Sequence, residues 1–139
     1  MYSILTTACG GRNLKNELSM ALSHELPIYR DTMKLLSLTI EKAKCYPRFY
    51  RYTVGEKMVN INLDMLSLIY RANSSYEKIS ILSEFLDKYN LITMLYRISI
   101  EHHVINERQY AAIALLLQQI GKQATSWKQY NEKCVGKKQ

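Results

Sequence analysis

Residues 79–100 read ISILSEFLDKYNLITMLYRISI, and this stretch decides the fold class. Its apolar residues recur every three or four positions, which is the spacing of an α-helical face and not the alternation of a strand. Two neighbouring rows are apolar, so the predicted helix is buried on more than one side. One row is Ile79, Leu82, Leu86, Tyr89, Thr93, Tyr96 and Ile100, and the other is Ile81, Phe85, Leu91, Leu95 and Ile98.

Three further segments show the same spacing and predict three more helices. The first begins at Pro27, whose ring suits a first helical turn. It ends near Lys44, because Pro47 disfavours helical geometry at Tyr46. Its predicted apolar stripe is Tyr29, Met33, Leu36, Ile40 and Ala43.

Capping boxes predict the starts of the other three helices. In each box a Thr, Ser or Asn side chain accepts the N–H three residues on, and a Glu or Gln reaches back. The boxes are Thr53–Glu56, Ser74–Glu77 and Asn106–Gln109. The second helix is predicted to bury Val54, Met58, Ile61, Met65, Leu68 and Ala72. The fourth is predicted to end near Gln129 and to bury Tyr110, Ile113, Ala114, Leu117, Gly121, Ala124 and Trp127.

Together these helices predict an all-α fold, an antiparallel up-down four-helix bundle over residues 27–130. Residues 1–26 are expected to be a partly disordered N-terminal extension, with a weak extra helix over residues 13–25. Residues 131–139 are expected to be a solvated basic C-terminal tail. Gly55 and Gly121 lie inside helical patterns, which favours close packing there.

The composition is that of one globular domain with an excess of positive charge. The chain has 139 residues, 47% of them hydrophobic, and 19 Lys and Arg against 12 Asp and Glu give a formal charge of +7. No apolar run approaches the roughly 20 residues that cross a bilayer, so no membrane segment is expected. Three cysteines at wide spacing suggest free thiols and a cytoplasmic location. The charge excess is concentrated in residues 44–75 and 105–139, which favours a surface for an anion.

Cations and aromatic rings alternate in residues 44–52, KCYPRFYRY, at the predicted corner between the first two helices. Arg and Lys side chains can neutralise phosphates while Tyr and Phe rings stack on exposed bases. The same pattern also suits a corner whose rings close the end of the bundle and whose cations face water. The sequence leaves both interpretations open.

No set of catalytic or metal-binding residues stands out, so we expect no catalytic residue, no metal and no cofactor. The adjacent His102 and His103 diverge by about 100° on a helix and cannot chelate one ion together. An enzymatic alternative comes from Arg97 and His102, which have the Arg-x4-His spacing of all-α ribonucleases of the HEPN family. On a continuous helix, however, these two side chains point about 140° apart.

Several motifs, in this order and spacing, resemble the accessory variability determinant family, Avd. Its members accompany the reverse transcriptase of bacterial and phage diversity-generating retroelements, and proteins encoded within ribosomal-RNA intervening sequences are similar. The motifs are YPR at Tyr46–Arg48, RYTVGEK at Arg51–Lys57, LYRISIE at Leu95–Glu101, VINERQY at Val104–Tyr110, QIGK at Gln119–Lys122 and WK at Trp127–Lys128.

This resemblance implies a non-catalytic, oligomeric protein, a ring of five four-helix protomers. It also implies a basic surface that binds nucleic acid (RNA, DNA or both) and the reverse transcriptase, and so assists the copying of a template RNA into mutagenised cDNA. A scaffold that binds only protein is a further alternative. The residues at positions where the family pattern is basic, and which we expect to contact phosphates, are Arg48, Arg51, Lys57, Arg97, Lys122 and Lys128.

Overall fold

The computed structural model describes residues 26–138, and the regular elements in that range are helical. Helix α1 packs against α2 and α4, and α3 packs against the same two helices, so the four form a bundle around one core. The predicted N-terminal extension and its weak helix lie outside the described residues. The helices are α1 (Pro27–Cys45), α2 (Glu56–Ser74), α3 (Lys78–Glu101) and α4 (Glu107–Lys138).

Helical backbone resumes before α2, earlier than the sequence predicted. One α-helical turn at Arg48–Tyr50 continues into a π-helical segment at Arg51–Gly55, which leads directly into α2. Thr53 therefore lies inside helical backbone, and its hydroxyl donates to the Phe49 carbonyl at 2.7 Å. The predicted cap at Thr53 is wrong, because the chain returns to helical geometry immediately after Pro47.

The start of α3 differs from the prediction as well. Ser74 is the last residue of α2, where its hydroxyl donates to the Tyr70 carbonyl at 3.0 Å, so it does not cap α3. In the connection, Ser75 Oγ accepts the Glu77 N–H at 3.1 Å, and α3 begins at Lys78. Ser75 thus takes the local hydrogen bond that the pattern assigned to its neighbour.

The predicted capping box at the start of α4 is confirmed. The Gln109 N–H donates to Asn106 Oδ1 at 2.8 Å, and the Asn106 N–H donates to Gln109 Oε1 at 3.0 Å. Each side chain therefore satisfies an N–H that the first turn leaves without a helical partner.

Helix α4 continues to Lys138, so its predicted end near Gln129 is wrong, and residues 131–138 of the basic tail are helical. Residues 130–138 contain no proline, and an ion pair four residues apart, Lys128 to Glu132 at 3.8 Å, supports the added turns.

The buried side of α1 is offset from the predicted stripe. Met33 and Ile40 of that stripe are about 40% exposed. The buried residues include Thr32 and Thr39, whose hydroxyls donate to carbonyls one turn earlier and so enter the core with their polar atoms satisfied. The buried set is Ile28, Thr32, Leu35, Leu36 and Thr39.

Two tyrosines link α1 to α3 across the core. The Tyr46 hydroxyl donates to Ser99 Oγ at 2.8 Å. The Tyr96 hydroxyl lies 2.5 Å from Thr39 Oγ1, and Tyr96 must donate because the Thr39 proton goes to a carbonyl. Burial raises the pKa of both phenols, and the hydrogen bonds to Ser99 and Thr39 offset part of that rise.

Gly55 and Gly121 are close-packing positions, as predicted. A Cβ on Gly55 would lie 3.2 Å from the Ala43 Cβ, so glycine lets the π-helical segment approach α1. A Cβ on Gly121 would lie 2.6 Å from the Tyr89 hydroxyl oxygen. None of the helices in the described range is long and apolar enough to cross a bilayer.

Candidate nucleic-acid interface

The corner segment, residues 44–57, joins α1 to α2 at one end of the bundle. Tyr46 leaves the helix with extended backbone, and its buried ring reaches Ser99 near the end of α3. The Tyr50 hydroxyl lies 3.3 Å from His102 Nδ1, just past the end of α3. Two tyrosines therefore fasten the corner segment to α3, and the backbone between them presents its other side chains outward.

The end of α3 has a definite structure of its own. The Val104 N–H donates to the Ser99 carbonyl at 2.8 Å, and the His103 N–H donates to the Ile100 carbonyl at 3.0 Å. His103 has the left-handed conformation that this helix ending requires, with φ of 60°. This ending fixes His102 beside Tyr50.

The four rings of the corner segment divide into two pairs. Tyr46 is buried and Tyr50 is partly buried, so these two close the end of the bundle. Phe49 and Tyr52 are 70% and 63% exposed. The Phe49 ring stands edge-on to the Tyr50 ring, with centroids 5.3 Å apart. The packing interpretation is therefore met by Tyr46 and Tyr50, and the other two rings lie at the surface.

All four cations of the corner segment, Lys44, Arg48, Arg51 and Lys57, are exposed. None forms an ion pair with an acidic side chain in the described part of the chain. Arg51 Nη2 donates to the Lys44 carbonyl at 3.0 Å, so Arg51 also satisfies an orphan carbonyl at the end of α1. Glu56 is the only acidic residue in the segment, which leaves a local excess of positive charge.

The other three predicted contact residues are not gathered at the corner segment. Arg97 is exposed in the last turns of α3, at the same end of the bundle. Lys122 and Lys128 lie on α4, about 22 Å and 32 Å along the axis from Glu107. Lys128 is partly buried and pairs with Glu132. The predicted set thus separates into a corner group and a distant pair.

The ribonuclease alternative needs Arg97 and His102 to converge. The helix does end at Glu101, so His102 leaves the helical path. Its Nδ1 contacts Tyr50 Oη, and the hydrogen bonds and ion pairs of the described residues include none between His102 and Arg97. The structure therefore does not form this pair within one protomer.

A cation that the sequence did not single out has a structural role at the other end of the bundle. Lys78 Nζ donates to the Ala72 carbonyl at 2.6 Å and lies 6.0 Å from the centroid of the Trp127 ring. Burial lowers the pKa of Lys78. Trp127 packs against the core, as its place in the α4 stripe predicted.

The corner segment contains one exposed cation and two exposed rings that are not among the six predicted contact residues. The cation is Lys44, and its place in the alternating pattern of cations and rings was the sequence signal for it. The rings are Phe49 and Tyr52, and the sequence did not determine which rings of the segment stay exposed.

Within residues 26–138, no three His, Cys, Asp or Glu side chains are grouped to hold a metal ion, and Cys45 and Cys134 are free thiols.

Comparison with known proteins supports the family resemblance. A search of curated protein sequences gives no match. The family model described as bAvd-like matches residues 28–131, from the first turn of α1 into the C-terminal part of α4. The match includes all the motifs that carry the resemblance, together with the corner segment. Because it spans well over half of the chain, this protein belongs to the bAvd-like family.

Proposed function

We propose that this protein is a non-catalytic accessory factor of a diversity-generating retroelement, acting in the cytoplasm as an oligomer that binds nucleic acid and the reverse transcriptase. The observation that carries the nucleic-acid part is the corner segment. Its four exposed cations have no acidic partners among the described residues. Unpaired cations grouped on a packed backbone suit a chain of phosphates, because no ion pair within the protein has to break when the phosphates bind.

The proposal includes the up-down antiparallel order of the helices. Tyr46, which follows α1, contacts Met58 near the start of α2 and Ser99 near the end of α3. At the far end, Gln123 in the second half of α4 donates to Asp31 in the first turns of α1 at 2.6 Å. These contacts support a bundle in which consecutive helices run in opposite directions, so that the corner segment and the end of α3 form one surface.

A second copy of the chain is the proposed occupant of an apolar strip along α1 and α2. Met33, Ile40 and Leu63 are its exposed members, at 40%, 39% and 48%. On α1, Ile40 lies one helical turn before Ala43. Ala43 packs beside Gly55, the residue directly before α2. The strip therefore follows the side of α1 that faces α2. The apolar strip comprises Tyr29, Met33, Leu36 and Ile40 of α1 with Val59, Leu63, Leu66 and Tyr70 of α2.

A second exposed apolar surface supports a ring over a two-fold dimer. Met94 and Ile98 of α3 are 54% and 38% exposed, one helical turn apart, beside the partly buried Leu91 and Leu95. A head-to-tail ring joins two different surfaces of the protomer, whereas a two-fold dimer joins one surface to itself. We propose that the apolar strip of one protomer packs on this α3 surface of the next, in the ring of five that the family resemblance implies.

A salt titration tests the nucleic-acid part of the proposal. With about six phosphate contacts, the affinity for labelled RNA or DNA should fall roughly a thousandfold between about 50 and 200 mM salt. Arg48→Ala with Lys57→Ala should reduce the slope of log affinity against log salt concentration by about two. It should weaken binding to all base sequences alike, since phosphate contacts carry no base readout. This pair leaves Arg51 in place, because Arg51 also caps α1.

The distant pair is the matched control for that titration. Lys122→Ala with Lys128→Ala removes the same charge about 22 to 32 Å along α4 and should change the slope less. An equal effect of the two double variants would place the contacts on the whole basic surface and not at the corner. A flat salt dependence of the unchanged protein would contradict nucleic-acid binding by phosphate contacts.

The same preparation separates the alternatives. Cleavage of labelled RNA that His102→Ala abolishes would favour the ribonuclease. Binding of the reverse transcriptase that persists at high salt, with no nucleic acid bound, would favour the protein-only scaffold. A reverse-transcriptase reading frame beside this gene, flanked by a template and a variable repeat, would support the retroelement role.

A further inference from the structure

We propose that the corner segment binds single-stranded nucleic acid in preference to duplex, with bases stacked on Phe49 and Tyr52 and phosphates held by Arg48 and Arg51. This inference rests on the proposed function and names the form of nucleic acid that the surface takes. It arises from the two exposed rings, which phosphate binding alone does not require.

The two rings remain exposed although a third ring between them packs against the end of α3. Phe49 and Tyr52 are 70% and 63% exposed within a stretch of four residues. In the same stretch, the Tyr50 ring turns inward to the end of α3. The packed corner thus partly buries one ring of the three and leaves the other two at the surface.

The backbone holds these rings in place. Tyr50 supports Phe49 through an edge-to-face contact, with an interplanar angle of 88°, and is itself held by His102. The Thr53 hydroxyl donates to the Phe49 carbonyl at 2.7 Å, which ties the π-helical segment to the preceding turn. A ring on a fixed backbone loses little conformational freedom when a base stacks on it.

Each of the two rings follows a cation in the chain. Arg48 directly precedes Phe49, and Arg51 directly precedes Tyr52 along the helical path. Arg51 is anchored by its hydrogen bond to the Lys44 carbonyl and stays exposed. Rings alternating with cations on a basic surface are the pattern by which proteins bind single strands without sequence readout.

The rings determine the choice between single strand and duplex. A ring can stack only on a base that is not already stacked between its neighbours, and the bases of a continuous duplex are occupied in this way. Phosphates are present in both forms, so the cations alone would not distinguish them. The rings should therefore add affinity for single strands only.

The experiment compares one double variant with a matched control. Phe49→Leu with Tyr52→Leu removes the rings without altering the charge, and Tyr76→Leu with Tyr130→Leu removes two exposed rings at the far end. The probes are a labelled oligothymidine and a labelled DNA hairpin of equal nucleotide count. Fluorescence anisotropy gives each Kd over a series of salt concentrations, and circular dichroism checks that helix content is unchanged.

The corner variant should bind the single strand at least about tenfold more weakly, with the hairpin affected less than about twofold and the salt slope unchanged. The control variant should bind both probes like the unchanged protein. If the unchanged protein bound neither probe at low salt, the proposed function itself would fail.

Two results would overturn this inference while leaving the proposed function intact. One is an equal loss for both probes, or no loss at all, with a steep salt dependence retained. The other is dissociation of the oligomer by the corner variant in sedimentation velocity, which would assign the rings to a subunit contact.

Discussion

Buried hydroxyl groups determine how α1 is placed against α3. Each of two phenols donates to a Ser or Thr hydroxyl, which donates in turn to a carbonyl one turn back, as Ser99 does to Leu95 at 2.9 Å. A buried hydroxyl without a hydrogen-bond partner destabilises the fold. The two helices must therefore keep their register for each series of hydrogen bonds to remain complete. Two such series, from Tyr46 and Tyr96, allow few alternative alignments of the two helices.

The raised pKa values of three tyrosines predict a loss of stability at alkaline pH. Burial raises the pKa of Tyr46, Tyr89 and Tyr96 above 10.0, so the folded protein favours the protonated phenol. Their contribution is complete below pH 10.0 and is lost as the pH rises through the folded pKa values, because the unfolded chain ionises first. Urea unfolding at about pH 9 and about pH 11 should show a lower free energy of unfolding at the higher pH.

Tyr96→Phe provides the control. It removes the hydrogen bond to Thr39 and should cost about 1 kcal/mol near neutral pH, since Thr39 keeps its bond to Leu35. It should also reduce the loss between the two pH values. An unchanged alkaline loss in this variant would mean that Tyr96 does not contribute to it.

At the scale of the helix, two similar capping patterns have different outcomes. Asn106 and Gln109 bond each other's backbone at the start of α4. Thr53 and Glu56 have the same spacing, but helical backbone already precedes them. A capping box stabilises a helix only where the N–H groups of its first turn would otherwise have no partner.

The contrast predicts different costs for two substitutions. Asn106→Ala should lower the free energy of unfolding by about 1 kcal/mol, because it leaves the first turn of α4 uncapped. Thr53→Ala should cost less than about 0.5 kcal/mol, since alanine favours a helix interior. Chemical denaturation of both variants measures the difference, and equal costs would contradict the continuous helical path through Thr53.

At the scale of the whole molecule, apolar surface and charge occupy different parts of the protomer. The apolar strip runs along α1 and α2, and four exposed cations are grouped at the corner segment. In the proposed ring, five copies, each of charge +7, would sum to +35. A ring would then repeat the corner segment around its axis and multiply weak phosphate contacts into one polyvalent surface.

A charge placed in the apolar strip should dissociate the oligomer. Met33→Glu with Leu63→Glu buries two carboxylates without partners if the strip is a subunit contact, and the expected product is a folded 16.2 kDa monomer. Leu115→Glu, at a 59% exposed position of α4, is the matched control and should leave the oligomer intact. Sedimentation velocity compares the masses, and an unchanged mass for the double variant would remove the strip from the interface.

Much of the fold could be predicted from the sequence, because helical periodicity, prolines and caps act over a few residues. The spacing gave the four helices, Pro47 placed the end of α1, and Asn106 placed the start of α4. The order and spacing of the motifs also predicted the protein family. These features depend on local backbone preferences and on which residues share a helical face, and both can be read along the chain.

Only the tertiary structure decided which side of α1 is buried and which rings of the corner are exposed. Thr32 and Thr39 are polar by composition, yet they enter the core because carbonyls of the preceding turn accept their protons. Tyr46 is buried and Phe49 is exposed because Ser99 and the end of α3 accommodate the first ring and not the second. Such outcomes depend on partners from distant parts of the chain, which periodicity does not encode.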